Sequence, residues 1–482
     1  MESAPINTLL IQGSFDELAE ELARYVDSIR SSTASSQTAA VPSVFTEISP
    51  IVEKLRELEY SEEELTEAQT QQIEKGKDEV LKKLIVASSV LNAAPEKEII
   101  AAFNLLVYLI RASPSIDMFL PRICSYLAKP MNASPQNGPS LALSILSNIF
   151  NLLPSSDSNR YHVFLAILAV IRGASSQIAF DALKAQLNNQ LSSWTTAWEL
   201  DEEDTRKLHL AISDTARVAG DIEMAYNHLI SALQAIPPSE SSSSDAKDLA
   251  LKALTSALVL PFVFDFTPLT TSDAIQNLRQ TDSSLFELLE IFAADTLDAY
   301  EDFVKSTPIS SISTLATLPL VQPSSSVEEA LHSKMRLLTL TSLAAAASSR
   351  SLPYDDIATG LRVPQEDVEK WVIDTIRAHL VEGKLSQLKR EFLVHRATYR
   401  VFGEKQWREV QGRLMVWRRS LESVLDVVRS EKEKFIKETA AAAAAPPTQT
   451  QGEGHFGGRG GDRRRGGGHH QNRDIELVAG GD

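Results

Sequence analysis

The chain has 482 residues, 47 Lys plus Arg against 64 Asp plus Glu for a formal net charge of −17, and a single Cys. One thiol makes neither an internal disulfide nor a Cys-based zinc site, which excludes a secreted, disulfide-stapled scaffold and points to a reducing compartment, cytosolic or nuclear. A hydrophobic share of 43% with 6% aromatics suits stacked helices better than a β-sandwich, and this length allows about three structural units.

Near the start stand Glu2, Asp16, Glu17, Glu20 and Glu21 with no basic stretch ahead of an apolar one, so no signal peptide is read there. No apolar run approaches the ~18 residues of a membrane span, and no membrane partner is expected. Residues 1–78 read as an acidic helical region with a Ser- and Ala-rich linker over 31–43; further linkers fall at 237–245 and 306–326.

From about 79 to 235 apolar residues recur at three and four, the helical period, in a solenoid expected over 79–304. Val80, Leu84, Val90 and Leu91 make one stripe, Ile100, Phe103, Leu106, Val107 and Ile110 the next, then Leu141, Ile145, Ile149 and Leu152. Segments of about 12 to 16 residues ending at Pro, Asn, Gly or Ser predict helix pairs that bury their apolar faces only by stacking, a right-handed α-solenoid. Cys124 lies among Leu120, Ile123 and Leu127, the setting of a small buried hydrophobe rather than a nucleophile. Leu208, Ala211 and Ala216, the turn at Gly220-Asp221, then Ala225, Leu229, Ala232 and Pro237 look like a degenerate tetratricopeptide unit, small residues letting two helices approach closely.

Over 327–402 the pattern predicts three helices and a small β-hairpin, the winged-helix layout. A helix through Met335, Leu338 and Leu343 leads to Leu352-Pro353-Tyr354-Asp355-Asp356-Ile357, a turn at Gly360, and a helix opened by Pro364 with Val368, Val372, Ile376 and Leu380 on one face. Lys384 through Lys389, a turn near Arg390, and Phe392 through Arg396 form the hairpin.

A helical solenoid running into a winged helix resembles the PCI-domain family, shared by proteasome-lid, signalosome and translation initiation factor subunits, with the matching residues at about 205–402. Leu352 to Ile357, Val368-Glu369-Lys370-Trp371-Val372-Ile373-Asp374, Gly383-Lys384-Leu385-Ser386-Gln387, and Leu10 to Leu18 at the start resemble most the branch of subunit m of eukaryotic translation initiation factor three in its fungal form. The resemblance implies a non-catalytic cytoplasmic building block without a cofactor. It also implies neighbours paired through winged-helix edges and C-terminal helices gathered into a bundle. Subunits a, f and h are implied as partners, in a complex that recruits messenger RNA and initiator tRNA to the 40S ribosomal subunit. A proteasome-lid or signalosome scaffold, or an RNA-binding winged-helix module, are the alternatives. Nothing of the family is carried onto the Gly- and Arg-rich tail, 439–482.

Three surfaces follow from the residues themselves. Trp407, Val410, Leu414, Trp417, Leu421, Val424 and Val428 are spaced 3, 4, 3, 4, 3, 4 on a predicted helix over 404–438, a heptad seam that calls for partner helices unless it folds onto its own solenoid. Leu388, Lys389, Arg390, Phe392, Val394 and Arg396 mark a winged-helix edge, either a strand open to a partner's strand or a solvated wing. Residues 370–419 hold 12 Lys plus Arg against 5 Asp plus Glu, so Lys370 and Arg377, with Arg459, Arg463, Arg464 and Arg465 in the tail, are the candidates for RNA contact. Sequence-specific DNA reading is disfavoured by Glu366, Asp367 and Glu369 at the start of the would-be recognition helix. The tail carries 5 Arg and 5 acids from residue 446 onward, and reads first as a flexible segment. No Walker A loop, HExxH, nucleophile elbow or Rossmann fingerprint occurs, so no catalytic, cofactor or metal residue is assigned.

Overall fold

The computed structural model describes residues 13–33, 43–59, 67–131, 136–317, 319–320, 326–347, 349–400 and 404–444. The tail arginines, the start of the Leu10 motif and most of the 31–43 linker lie outside the described residues. The chain divides into two compact units, Met1–Arg336 and Leu337–Asp482, and the division falls inside the helix Val327–Ala346.

Helices are the only regular elements among the described residues of the first unit. Its N-terminal core joins successive helices through Leu22, Val52, Leu84, Phe103, Ile123 and Ile145. The apolar faces legible in sequence therefore meet one another rather than a shared sheet. Helix starts are satisfied locally: Ser176 Oγ, Asp201 and Ser243 accept the backbone N–H of Ala179, Asp204 and Ala246. One cap is supplied from a different helix. Asp27, on Phe15–Thr33, accepts the Val44 and Phe45 N–H groups, each at 3.0 Å, and the Ser43 hydroxyl at 2.6 Å, fixing the start of Val44–Glu59.

The hairpin expected over Leu208 to Pro237 is present as helices Glu202–Ala219 and Ile222–Gln234. Ala216, Ala225 and Ala232 are fully buried, and Ser213 Oγ donates across to Ala225 O at 2.7 Å, a contact that larger side chains would prevent. Gly220 closes the first helix at φ 91°, a left-handed turn that costs glycine little.

The 306–326 linker expected from composition is partly helical, with turns at Ile309–Ser311 and Ser313–Thr317. Leu315 and Leu320 are buried, and Leu320 N–H donates to Ser256 Oγ at 3.0 Å, so these apolar residues give the segment a core to join.

In the second unit the core comprises Leu340, Ala344, Leu352, Tyr354, Ile357, Leu361, Val368, Val372, Val381, Phe392 and Val394. Helices Tyr354–Leu361 and Val368–Arg377 lead into a sheet of β1 (Ser351–Pro353), β2 (Val381–Ser386) and β3 (Glu391–Ala397) in the order β1-β3-β2, all antiparallel. Two expectations need correction. The sheet has three strands, because Ser351–Pro353, directly ahead of helix Tyr354–Leu361, pair with Glu391–Leu393. Gly360 is not a turn: it lies inside the helix, where an added Cβ would stand 2.7 Å from Leu343 Cδ1, and Arg362 makes the turn at φ 53°.

Candidate functional site

The terminal helix runs Glu404–Ala444, 41 residues, and continues beyond the expected end near 438. At 1.5 Å per residue it is about 60 Å long. Trp417 is 50% exposed and Leu421 64%; Trp407, Leu414, Val424 and Val428 are also exposed, and Val410 is half-buried. Phe435, seven residues after Val428 and equally exposed, extends the seam past Glu431, which occupies an otherwise apolar position. Met415, Val416, Leu425 and Val427 are exposed too. Around 414–417 and 424–428 the apolar surface is thus wider than two residues in seven, and a helix apolar on several sides is one that several neighbours cover. Periodicity alone singled out the narrow seam and missed this widening.

The wing departs from the sequence reading. β3 is the central strand, bonded to β1 on one side and β2 on the other, so it offers no open edge along 391–393. Phe392 and Val394 are core residues, fully buried and 7% exposed. Alternation puts them on the inner face and Leu393 on the outer one; beyond Val394 the register shift opposite Glu382 and Gly383 interrupts the alternation, and the exposed Arg396 pairs with Glu382 at 3.4 Å. The outer strands of the sheet are β1 and β2, and of the two hairpin strands it is β2 that has an open side, its pairing irregular between Glu382 and Gly383. A Cβ at Gly383 would collide with Leu393 O and the Phe392 ring. Leu388, 97% exposed, and the exposed Lys389 and Arg390 sit in the β2–β3 turn, with Arg390 left-handed at φ 50°.

Lys370 and Arg377 are exposed on Val368–Arg377, Arg377 pairing with Asp374 at 3.5 Å. Glu366 and Asp367 are exposed one turn earlier, so the approach to this helix is acidic at its N-terminal end. Glu369 accepts from Tyr354 Oη and Gln387 Nε2.

The titratable groups inside the solenoid serve packing. Burial pushes the Cys124 thiol up to about 12, which removes it as a nucleophile. His209 and His228 stack with Nδ1 atoms 2.9 Å apart. Burial lowers both, and His228 falls to about 4 with the His209 charge as a second cause. Among the described residues no group of three or more His, Cys, Asp or Glu is placed to hold a metal, and no helix is long and apolar enough to cross a membrane.

Two family models match. The one for the PCI domain covers residues 301–396, and the one for the C-terminal helix of eIF3 subunit M covers 400–428. The curated relatives include Eukaryotic translation initiation factor 3 subunit M of Coccidioides immitis, 67% identical over 439 residues, 91% of each chain. The same-named proteins of Aspergillus clavatus and Emericella nidulans are 63% and 59% identical over 438 and 446 residues, 90% and 91% of this chain and 88% and 92% of theirs. The chain belongs to the eukaryotic translation initiation factor 3 subunit M family. For the subunit M family the helix model closes at Val428, the last residue of the seam read from spacing, whereas the helix itself runs on through Phe435 to Ala444. The PCI match takes in the winged helix and the end of the solenoid from residue 301.

Proposed function

We propose that this chain is a scaffold subunit of the translation initiation factor 3 complex. It holds neighbours in register through its terminal helix and its wing, and so supports recruitment of messenger RNA and initiator tRNA to the 40S ribosomal subunit in the cytoplasm. The chain performs no chemistry of its own in this role. Its neighbours are other PCI subunits such as a, together with subunits f and h.

The observation that carries the reading is the exposed apolar seam of the terminal helix, Trp407 to Val428, which the isolated chain leaves open to water. Burying an aliphatic or aromatic side chain of that size is worth about 1.5–3 kcal/mol, enough over several positions to hold an assembly together. The wing supplies a second contact through the open side of β2 rather than through β3.

Trp417→Asp tests this. The purified variant should remain soluble and as helical as the wild type by circular dichroism, yet fail to co-purify with the other subunits. Undiminished recovery of the complex with this variant would sink the reading.

A further inference from the structure

The positions beside the seam carry a charge pattern that the scaffold reading does not use. With Trp407, Leu414, Leu421, Val428 and Phe435 at one seam position and Val410, Trp417 and Val424 at the other, one flank holds Gln411, Arg418, Leu425 and Lys432. The opposite flank holds Arg413, Ser420, Val427 and Lys434. Between Trp407 and Phe435 four of these eight flanking residues are cations and none is an acid; Glu404, on the first flank one turn before Trp407, pairs with Arg408 at 2.6 Å. These are the positions that meet the flanks of a neighbouring helix and set partner choice and orientation.

We propose that the terminal helix selects helices bearing Asp or Glu beside their own apolar seam, and that its cationic flanks keep it from pairing with a second copy of itself. In a parallel self-pair Arg413 meets Arg418 of the other copy, and Glu431, standing at a seam position, meets its own counterpart. An antiparallel self-pair sets each cationic flank against itself. Like charges in juxtaposition reject a wrong partner as effectively as good contacts favour a right one. The helix's own acids reach two of these cations along the helix. Glu422 pairs with Arg418 at 2.9 Å and Glu431 with Lys434 at 2.8 Å, but both pairs are exposed links along one helix, worth little and readily exchanged for an interhelical partner.

The inference rests on the seam being a docking surface, and the test separates the two. Tagged full-length chains are expressed in cells as wild type, Trp417→Asp, a charge-reversed variant (R413E, R418E, K432E, K434E) and a charge-preserving one (R413K, R418K, K432R, K434R). Incorporation is measured by quantitative mass spectrometry of the purified complex. The charge-preserving chain should incorporate as the wild type does, and the charge-reversed chain at least about tenfold less. The free wild-type chain should sediment as a monomer. Normal assembly by Trp417→Asp would sink the docking surface itself. Loss with Trp417→Asp but full incorporation of the charge-reversed chain would leave that surface standing and overturn its charge selectivity, as would self-association of the free wild type through the seam. Zero-length carbodiimide coupling of the wild-type complex gives a readout independent of variant folding. Lys432 and Lys434 should link to Asp or Glu side chains of partner helices, and the absence of any such link would overturn the proposal.

Discussion

Lys334 places a cation in the interior of the first unit. Its Nζ donates to the carbonyls of Ala257, Leu258 and Leu260 at 2.5, 3.3 and 2.8 Å, and lies 5.2 Å from the Phe266 ring and 5.7 Å from Phe264. Burial pushes its pKa well below the ordinary lysine value. The acceptors belong to the end of helix Ser244–Val259, whose last carbonyls have no partner within the helix, so the ammonium completes a helix terminus from another element. Lys334→Met keeps the length of the side chain and strands those carbonyls. Stability should fall by about 2 kcal/mol, the lost bonds being partly offset by the desolvation no longer incurred. Urea unfolding measures this, and an unchanged midpoint would show the bonds to be dispensable. The His209–His228 contact makes a second residue-scale prediction. One ring nitrogen must donate and the other accept, so the pair is stable only while at least one ring is neutral. Because the folded pKa of His228 lies at about 4, below the ordinary 6.5, the unfolded chain takes up protons more readily between those values. The stabilisation is complete above pH 6.5 and is lost as pH falls towards 4. Thermal midpoints should therefore drop more steeply from about pH 7 to about pH 5 in the wild type than in His228→Phe; parallel profiles would acquit the pair.

At the scale of elements, legibility followed how local the determinants were. The hairpin across Gly220 was legible because its small residues and Gly220 are neighbours in sequence, while the Asp221 cap, which accepts Met224 N–H at 3.1 Å, went unread. Its close approach makes Ala225→Leu a sharp probe. A fully buried Ala facing a bonded helix has no room for three more carbons, and the overpacking should cost about 2 kcal/mol in urea unfolding without loss of helical signal. A neutral effect would mean that the two helices can separate freely. β1 could not be read. It is three residues long, ends in Pro353 and owes its existence to Glu391–Leu393, nearly forty positions away. That pairing also turned β3 from an edge into a centre along 391–393, while Phe392 and Val394 leave the docking surface because they face the core. The terminal seam was legible as far as Val428 because heptad spacing is local. Phe435 escaped because Glu431 interrupts the apolar pattern, and Lys334 because a lysine inside an amphipathic run reads as solvent-facing until the end of another helix is brought beside it.

Across the whole molecule, the net −17 conceals zones. Residues 1–80 hold 6 basic and 17 acidic groups, residues 370–419 hold 12 and 5, and the tail from 446 holds 5 and 5. The acidic start and the basic winged-helix end can each attract a complementary surface, while a tail with no net charge and little apolar content has no strong pull on protein or phosphate beyond its separate arginines. The docking residues argued above all precede Ala444. Deleting residues 446–482 should consequently leave incorporation into the complex within about twofold of the full chain, since a sequence with little apolar content has little to offer a buried interface. Quantitative mass spectrometry of complexes purified through another subunit measures the ratio. A severe drop would move part of the assembly surface into the Arg-Gly tail and would favour the arginines at 459 and 463–465 as its contacts, an outcome that neither the seam nor the wing would then explain.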